Sequence, residues 1–273
     1  MEDLDAGGAE LVDPAALEAN PQFASTLANG LAVLGCFGSG LTALGNKDIS
    51  ERLQLSRPTV TRLTFTLMGL GYLRRDRRTG KYTLGPAVLS LGYPLLSQLT
   101  VRQIASPEML ELARYARGPV SIGTRDRLQV VYVETVQANE TSSSKPDIGS
   151  TRPFLRTAIG RALLSSYMER DRAVILRRLQ ETHAQDWAQF GAATTEAFSQ
   201  ILATDFCIAM GDWRPTLAAV AVPMRAEVNG MHLAFNLTVP SYATNREHLE
   251  KDLGPRLVNL VRSIEYKLGL ADV

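Results

Sequence analysis

The sequence predicts an α+β protein in two parts: a module of three helices and a β-hairpin, then a linker helix leading to a larger α+β domain with an antiparallel sheet. Three observations carry this expectation. At 273 residues the chain is too long for one small core, since domains run to ~150 residues each. Basic charge is confined to one stretch. Residues 23–96 hold nine Lys or Arg against three acids, residues 1–22 hold six acids and no base, and the other 177 residues hold twenty against nineteen. Apolar residues recur at helical spacing up to Leu70, whereas β-forming runs alternate with helical patterns in the remainder.

Residues 1–22 are rich in Ala, Gly and acids and contain Pro14 and Pro21, which predicts a disordered acidic tail. Ser25 or Thr26 can cap a first helix marked by Leu27, Leu31, Val33, Leu34 and Phe37 and ended by Gly38 and Gly40. Asn46 is expected to cap a short second helix, Lys47 to Gln54, with Ile49 and Leu53 on one face. Ser56 caps a third helix. Its Pro58 is tolerated because first-turn N–H groups have no intrahelical partner, and Val60, Leu63, Leu67 and Leu70 form its buried side. Residues 71–84 read as two short β runs around Thr79-Gly80, anchored by Tyr72, Leu73, Tyr82 and Leu84. Three helices followed by a basic hairpin make a winged helix-turn-helix over 23–85. Val88, Leu89, Leu91, Leu95 and Leu96 predict a linker helix over 86–97.

The second domain, 98–273, opens with a helix over Ile104–Arg117. Strands follow at Pro119–Thr124 and Leu128–Val136 around an Arg125-Asp126-Arg127 hairpin, and a polar loop is expected over 138–152. Helical patterns at Ala158–Met168, Asp171–Leu179 and Thr194–Thr204 precede β runs at Phe206–Met210, Leu217–Met224 and Met231–Val239. Asn229-Gly230 between the last two is a hairpin turn signal. A helix over Arg246–Leu268 closes a domain in which helices cover an antiparallel sheet.

Composition excludes several classes. With 45% hydrophobic and 21% charged residues the chain is ordinary globular material, and with no leader or spanning run a soluble, cytoplasmic protein without membrane contact is expected. Cys36 and Cys207 stand far apart in apolar stretches and read as small buried hydrophobes rather than a disulfide or thiolate site. His183, His232 and His248 are isolated, which argues against a metal. Ser142 to Ser144 lie in a polar loop, not on a nucleophile elbow. No cofactor and no enzymatic activity are expected.

A basic block in a near-neutral chain is either a solvated charged face or a polyanion-binding module. Placed on a winged helix-turn-helix, it points to double-stranded DNA, with the third helix in the major groove. Ser56, Arg57, Thr59, Thr61 and Arg62 are the candidate contacts there. Arg57 and Arg62 can each pair both guanine acceptors, the alternative being phosphate contact alone. Arg77, Arg78 and Lys81, with Arg74 and Arg75, are expected to position the hairpin on the backbone. A two-fold symmetric homo-oligomer, packing through the linker helix, fits a palindromic operator.

In the second domain the start of the Ala158 helix offers N–H donors suited to an anion. Phe154, Arg156, Thr157, Ala158, Ile159 and Gly160 surround it, and Arg156 either joins the site or points to solvent. Asn236 and Thr238 lie two apart on one strand face, Leu217 and Ala219 give apolar walls, and Asp212 stands at the rim. This set suits a small organic acid. Alternatives are a domain that acts only in oligomerisation, or an enzyme on such an acid.

The chain resembles the IclR-type transcriptional regulators. Phe23-Ala-Ser-Thr-Leu-Ala-Asn-Gly-Leu-Ala-Val-Leu34, Lys47-Asp-Ile-Ser-Glu-Arg-Leu53, Arg57-Pro-Thr-Val-Thr-Arg-Leu63 and Gly71-Tyr-Leu-Arg-Arg-Asp76 with Gly80-Lys-Tyr-Thr-Leu-Gly85 follow the family's winged module. Thr157-Ala-Ile-Gly-Arg-Ala-Leu-Leu164, Ala219-Val-Ala-Val-Pro223 and Phe235-Asn-Leu-Thr-Val-Pro240 are similar to its effector pocket. The resemblance implies an effector-responsive regulator, dimeric or tetrameric, and the Asn on the later strand looks like members that answer to aromatic acids. Where many members carry Gly-Leu-Arg-Cys this chain has Thr216-Leu-Ala-Ala219, so their pocket thiol is absent.

Overall fold

The computed structural model describes residues 18–38, 42–138 and 146–270; the expected tail therefore lies outside them up to position 17. The chain divides into two compact units between Gln98 and Leu99.

In the first unit α1 (Ser25–Gly35), α2 (Asn46–Leu53) and α3 (Arg57–Gly69) are followed by β1 (Leu73–Arg75), β2 (Tyr82–Leu84) and α4 (Ala87–Gln98). Val33, Leu44, Ile49, Val60, Leu63, Leu67, Leu73 and Tyr82 form one buried cluster, so α1, α2, α3 and the hairpin contribute to a single core. An antiparallel bridge between Leu44 and Tyr82 ties the hairpin to the α1–α2 connection, with Tyr82 N donating to the Leu44 carbonyl at 2.8 Å. Asn46 is not the α2 cap. Gly45 holds that position, its N–H donating to Asp48 Oδ2 at 2.8 Å, and Asn46 instead donates to Thr61 Oγ1 at 3.1 Å, linking α2 to α3. The linker helix α4 buries none of its residues.

The second unit holds α5 (Thr100–Ala116), β3 (Val120–Asp126), β4 (Gln129–Val136), β5 (Thr151–Pro153), α6 (Ala158–Ser165), α7 (Glu169–Thr182), α8 (Ala184–Thr204), β6 (Cys207–Met210), β7 (Leu217–Pro223) and β8 (Ala234–Pro240). A helical turn, α9 (Arg246–His248), then runs through a π-helical segment, Leu249–Leu253, into α10 (Gly254–Lys267). The six strands form one antiparallel sheet in the order β5-β4-β3-β8-β7-β6. Helices α5 and α10 pack on one face, burying Met109, Leu257 and Val261, and α6 packs on the other with Ile159, Leu163 and Leu164.

Several boundaries differ from the sequence expectation for physical reasons. Residues 151–153 pair with β4 as an edge strand where a loop is expected, because three residues carry no periodicity to read. Part of that loop, 139–145, lies outside the described residues. Helix α8 begins at Ala184, ten residues before the expected start; its first half adds Trp187 and Phe190 to the stripe that continues with Thr194 and Ala197. The final helix is interrupted because Pro255 has no N–H to continue the i→i+4 ladder, and the Gly254 N–H reaches back to the Leu249 carbonyl in π spacing. Cys207 is buried as expected, whereas Cys36 is only half-buried.

Candidate functional site

The α3 start is built by its cap. Ser56 Oγ accepts from the Thr59 N–H at 3.3 Å and lies 2.8 Å from Thr59 Oγ1, which fixes the helix entry next to Pro58. Arg57 and Arg62 are exposed on its surface. Thr61 is exposed too, but its hydroxyl donates to the Arg57 carbonyl and accepts from Asn46, so it offers a methyl rather than a free donor. At the hairpin tip the Asp76 carboxylate accepts from Arg78 N at 2.7 Å and from Thr79 N and Oγ1. These bonds, the one from the Arg78 backbone foremost, hold the Asp76 carboxyl below the usual carboxylate range against the opposing effect of desolvation. The turn so folded presents Arg77, Arg78 and Lys81 to solvent. None of these three, nor Arg57 or Arg62, meets a carboxylate among the described residues.

In the second unit the register places Ala234, Asn236 and Thr238 of β8 on one face with Ser121 and Gly123 of β3, Ala219 and Ala221 of β7, and Tyr132 and Thr135 of β4. Helix α6 covers one end of this face, where a Cβ on Gly123 would stand 2.8 Å from Ile159 Cδ1. Cys207 Sγ donates to the Ala158 carbonyl at 3.4 Å, and burial pushes its thiol up to about 12, so it is no nucleophile. The other end is polar. Thr135 Oγ1 donates to Ser121 Oγ at 3.0 Å and Asn236 Nδ2 donates to Thr238 Oγ1 at 2.9 Å, while the buried Asn236 Oδ1 accepts nothing. Tyr132 is fully buried, and desolvation raises its phenol against the pull of the Arg152 charge and a hydrogen bond with Asn236.

The structure brings Asn236, Thr238, Ala219 and the half-buried Leu217 together. It withdraws others. Arg156, expected as the anion anchor, is bound by Asp186, its Nε donating at 2.9 Å and Nη2 at 2.5 Å. Thr157 caps α6 by accepting from Gly160 N at 3.2 Å and itself donates to the Pro153 carbonyl. Phe154, Ala158, Ile159 and Gly160 are buried, and a Cβ on Gly160 would stand 2.3 Å from the Phe154 carbonyl oxygen, so the α6 start is packed closely against its own approach segment. Asp212 is an ion-pair partner of the buried Arg161 at 2.6 Å rather than a free rim acid. Sequence reading missed Tyr132, Ser121, Thr135, Arg152 and Trp213. Cross-strand register assembles the four strand residues, Trp213 comes from the β6–β7 connection, and no local spacing signals either.

An exposed basic recognition helix and wing on one unit, and a sheet face with a polar end on the other, define a DNA-binding transcriptional regulator. The IclR helix-turn-helix domain matches residues 26–77 and the bacterial transcriptional regulator IclR C-terminal domain matches residues 94–266. The chain belongs to the IclR family, whose characterised members are regulators and not enzymes. It is 30% identical over 248 residues to the HTH-type transcriptional regulator TsaQ1/TsaQ2 of Comamonas testosteroni, covering 90% of this chain and 89% of that one. An IclR family regulator from Brucella abortus superposes with a TM-score of 0.83 at 39% identity, over 92% of this chain and 97% of that one. An IclR homolog of Microbacterium hydrocarbonoxydans complexed with 4-hydroxybenzoate shares the fold at 21% identity, with a TM-score of 0.71, over 89% and 99% of the two chains. Among the described residues no helix is long and apolar enough to cross a membrane.

Proposed function

We propose that the chain is a ligand-responsive, sequence-specific regulator that binds a palindromic operator as a homo-oligomer and controls a catabolic operon in response to a small organic acid. The acid sits on the polar end of the sheet face, over Asn236 and Thr238. The observation that carries this reading is Asn236: a buried amide oxygen without a partner is costly, and native proteins rarely leave one unless something else supplies the bond. Turning the amide over leaves an unpaired N–H in the same place, so the demand stands either way. The family fold seen with 4-hydroxybenzoate supports an organic acid as that partner. On the DNA side, Ser56, Arg57, Thr59 and Arg62 face the bases, and Arg77, Arg78 and Lys81 hold the backbone.

Calorimetry with carboxylic acids from the neighbouring genes tests the ligand half of this reading. Asn236→Ala should lower the affinity of an acid that binds the wild type by about 1–3 kcal/mol with the melting temperature kept. Unchanged binding in both Asn236→Ala and Thr238→Ala would remove the site.

A further inference from the structure

Resting on the reading of α3 as the recognition helix, we propose that Phe65 and the methyl of Thr61 form an apolar strip on that helix, and that the strip reads thymine 5-methyl groups in the operator. Residues 58, 61, 62 and 65 are spaced i, i+3, i+4 and i+7, so they lie along one side of the helix. Val60, Leu63, Thr64 and Leu67 are buried on the opposite side, whereas Pro58, Thr61, Arg62 and Phe65 are all exposed. The same spacing is the one at which a homeodomain recognition helix meets its bases in the major groove. Arg62 on this line carries charge. Phe65 carries none, and its residue is 73% exposed in the middle of the helix.

The hydroxyl of Thr61 is already committed. It donates to the Arg57 carbonyl at 2.9 Å and accepts from Asn46 Nδ2 at 3.1 Å. A hydroxyl has a single proton to give, so none is left for a base, and the group that Thr61 has to offer is its methyl. Phe65 stands four residues further on, a neighbour on the helix surface. The two make a continuous apolar strip one turn long, and Asn46 reaches over from α2 to hold one end of it.

The chemistry of the groove selects the occupant. Among the four bases the major-groove edge bears one alkyl group, the thymine 5-methyl, and Phe and the Thr methyl are side chains that contact it. Where a base presents an amino group, a ring nitrogen or a carbonyl oxygen to a phenyl ring instead, that group is taken from water without a partner, which is costly. The strip therefore favours thymine and disfavours the other bases, and it does so without a hydrogen bond. Arg57 and Arg62 read guanine by the opposite means, so the two kinds of contact divide the half-site between them.

The test uses the full chain and a duplex that it selects from a random pool, with each thymine replaced in turn by deoxyuridine, which removes the 5-methyl and keeps the base pair. Fluorescence anisotropy should show wild-type affinity falling about three- to fivefold at one or two positions in each half-site, the worth of one buried methyl. Phe65→Ala should bind the thymine duplex about tenfold more weakly and no longer distinguish deoxyuridine from thymine at its position, and Phe65→Leu should keep part of the difference. Thr61→Ser, which keeps the hydroxyl and drops the methyl, should lose the difference at the neighbouring position, whereas Thr61→Val should keep it. Melting temperatures near wild type show that the variants fold. Indifference of the wild type to every deoxyuridine, or a thymine preference left whole by either Phe65→Ala or Thr61→Ser, overturns the proposal. A sedimentation coefficient altered by Phe65→Ala, with thymine preference intact, also overturns it and puts the ring in a protein interface. In any of these cases, loss of preference for the selected duplex over random DNA in Arg57→Ala or Arg62→Ala leaves α3 as the recognition helix; no loss in either sinks that reading too.

Discussion

Arg57 stands in the first turn of α3 beside the Ser56 cap, where recognition helices place their base contacts. Arg57→Ala or Arg62→Ala should therefore weaken a preferred operator by about 1–3 kcal/mol and spare random duplex. Arg77→Ala or Lys81→Ala, on the hairpin tip, should weaken both and flatten the salt dependence. Fluorescence anisotropy over a salt series measures this, and equal losses on both DNAs from all four changes would contradict the division. Arg57 and Arg62 were legible in the sequence because charge on a helix flanked by a cap and a buried stripe has only one place to go. The residues of the proposed effector site are half legible in the sequence. Asn236 and Thr238 share a strand, so period two pairs them. Tyr132 and Arg152 join them only through strand pairing across residues far apart in the chain, and Arg156 misled because its proximity to a helix start says nothing of the Asp186 that binds it.

Elements with strong local chemistry were read correctly, and elements defined by their neighbours were not. Asn229 and Gly230 take φ of 53° and 71°, the left-handed pair of a type I′ hairpin turn, between β7 and β8, which carry Ala219, Asn236 and Thr238. Gly230→Ala has open space for its Cβ but must hold a backbone conformation that costs an L-residue about 1–2 kcal/mol. A urea titration of the full chain should show that loss, and an unchanged midpoint would mean that the turn relaxes freely. By contrast β5 and the π segment before Pro255 carry no pattern of their own. Pairing with β4 creates the first, and the missing proline N–H dictates the second.

At the scale of the whole molecule, α4 is the feature that a single chain does not satisfy. Leu89, Leu91, Tyr93 and Leu95 are each more than half exposed, along a helix that buries nothing. In the proposed homo-oligomer this apolar surface is the association site, which a two-fold partner would make self-complementary. Replacing Leu89 and Leu95 together by Glu should shift the chain toward monomer in sedimentation velocity and weaken a palindromic operator while leaving a half-site unaffected. An unchanged sedimentation coefficient would place the interface elsewhere.

In the proposed function one chain couples an acid on the β-sheet to DNA on the recognition helix. Linkage makes this coupling reciprocal: a tenfold change in operator affinity with ligand, about 1.4 kcal/mol, demands the same change in ligand affinity with operator. The most direct measurement is the operator dissociation constant of the full chain with and without saturating 4-hydroxybenzoate, paired with calorimetry of 4-hydroxybenzoate on free and operator-bound protein. Both affinities should change by one common factor, and both shifts should vanish in Asn236→Ala. Tight ligand binding that is the same on free and operator-bound protein would contradict it.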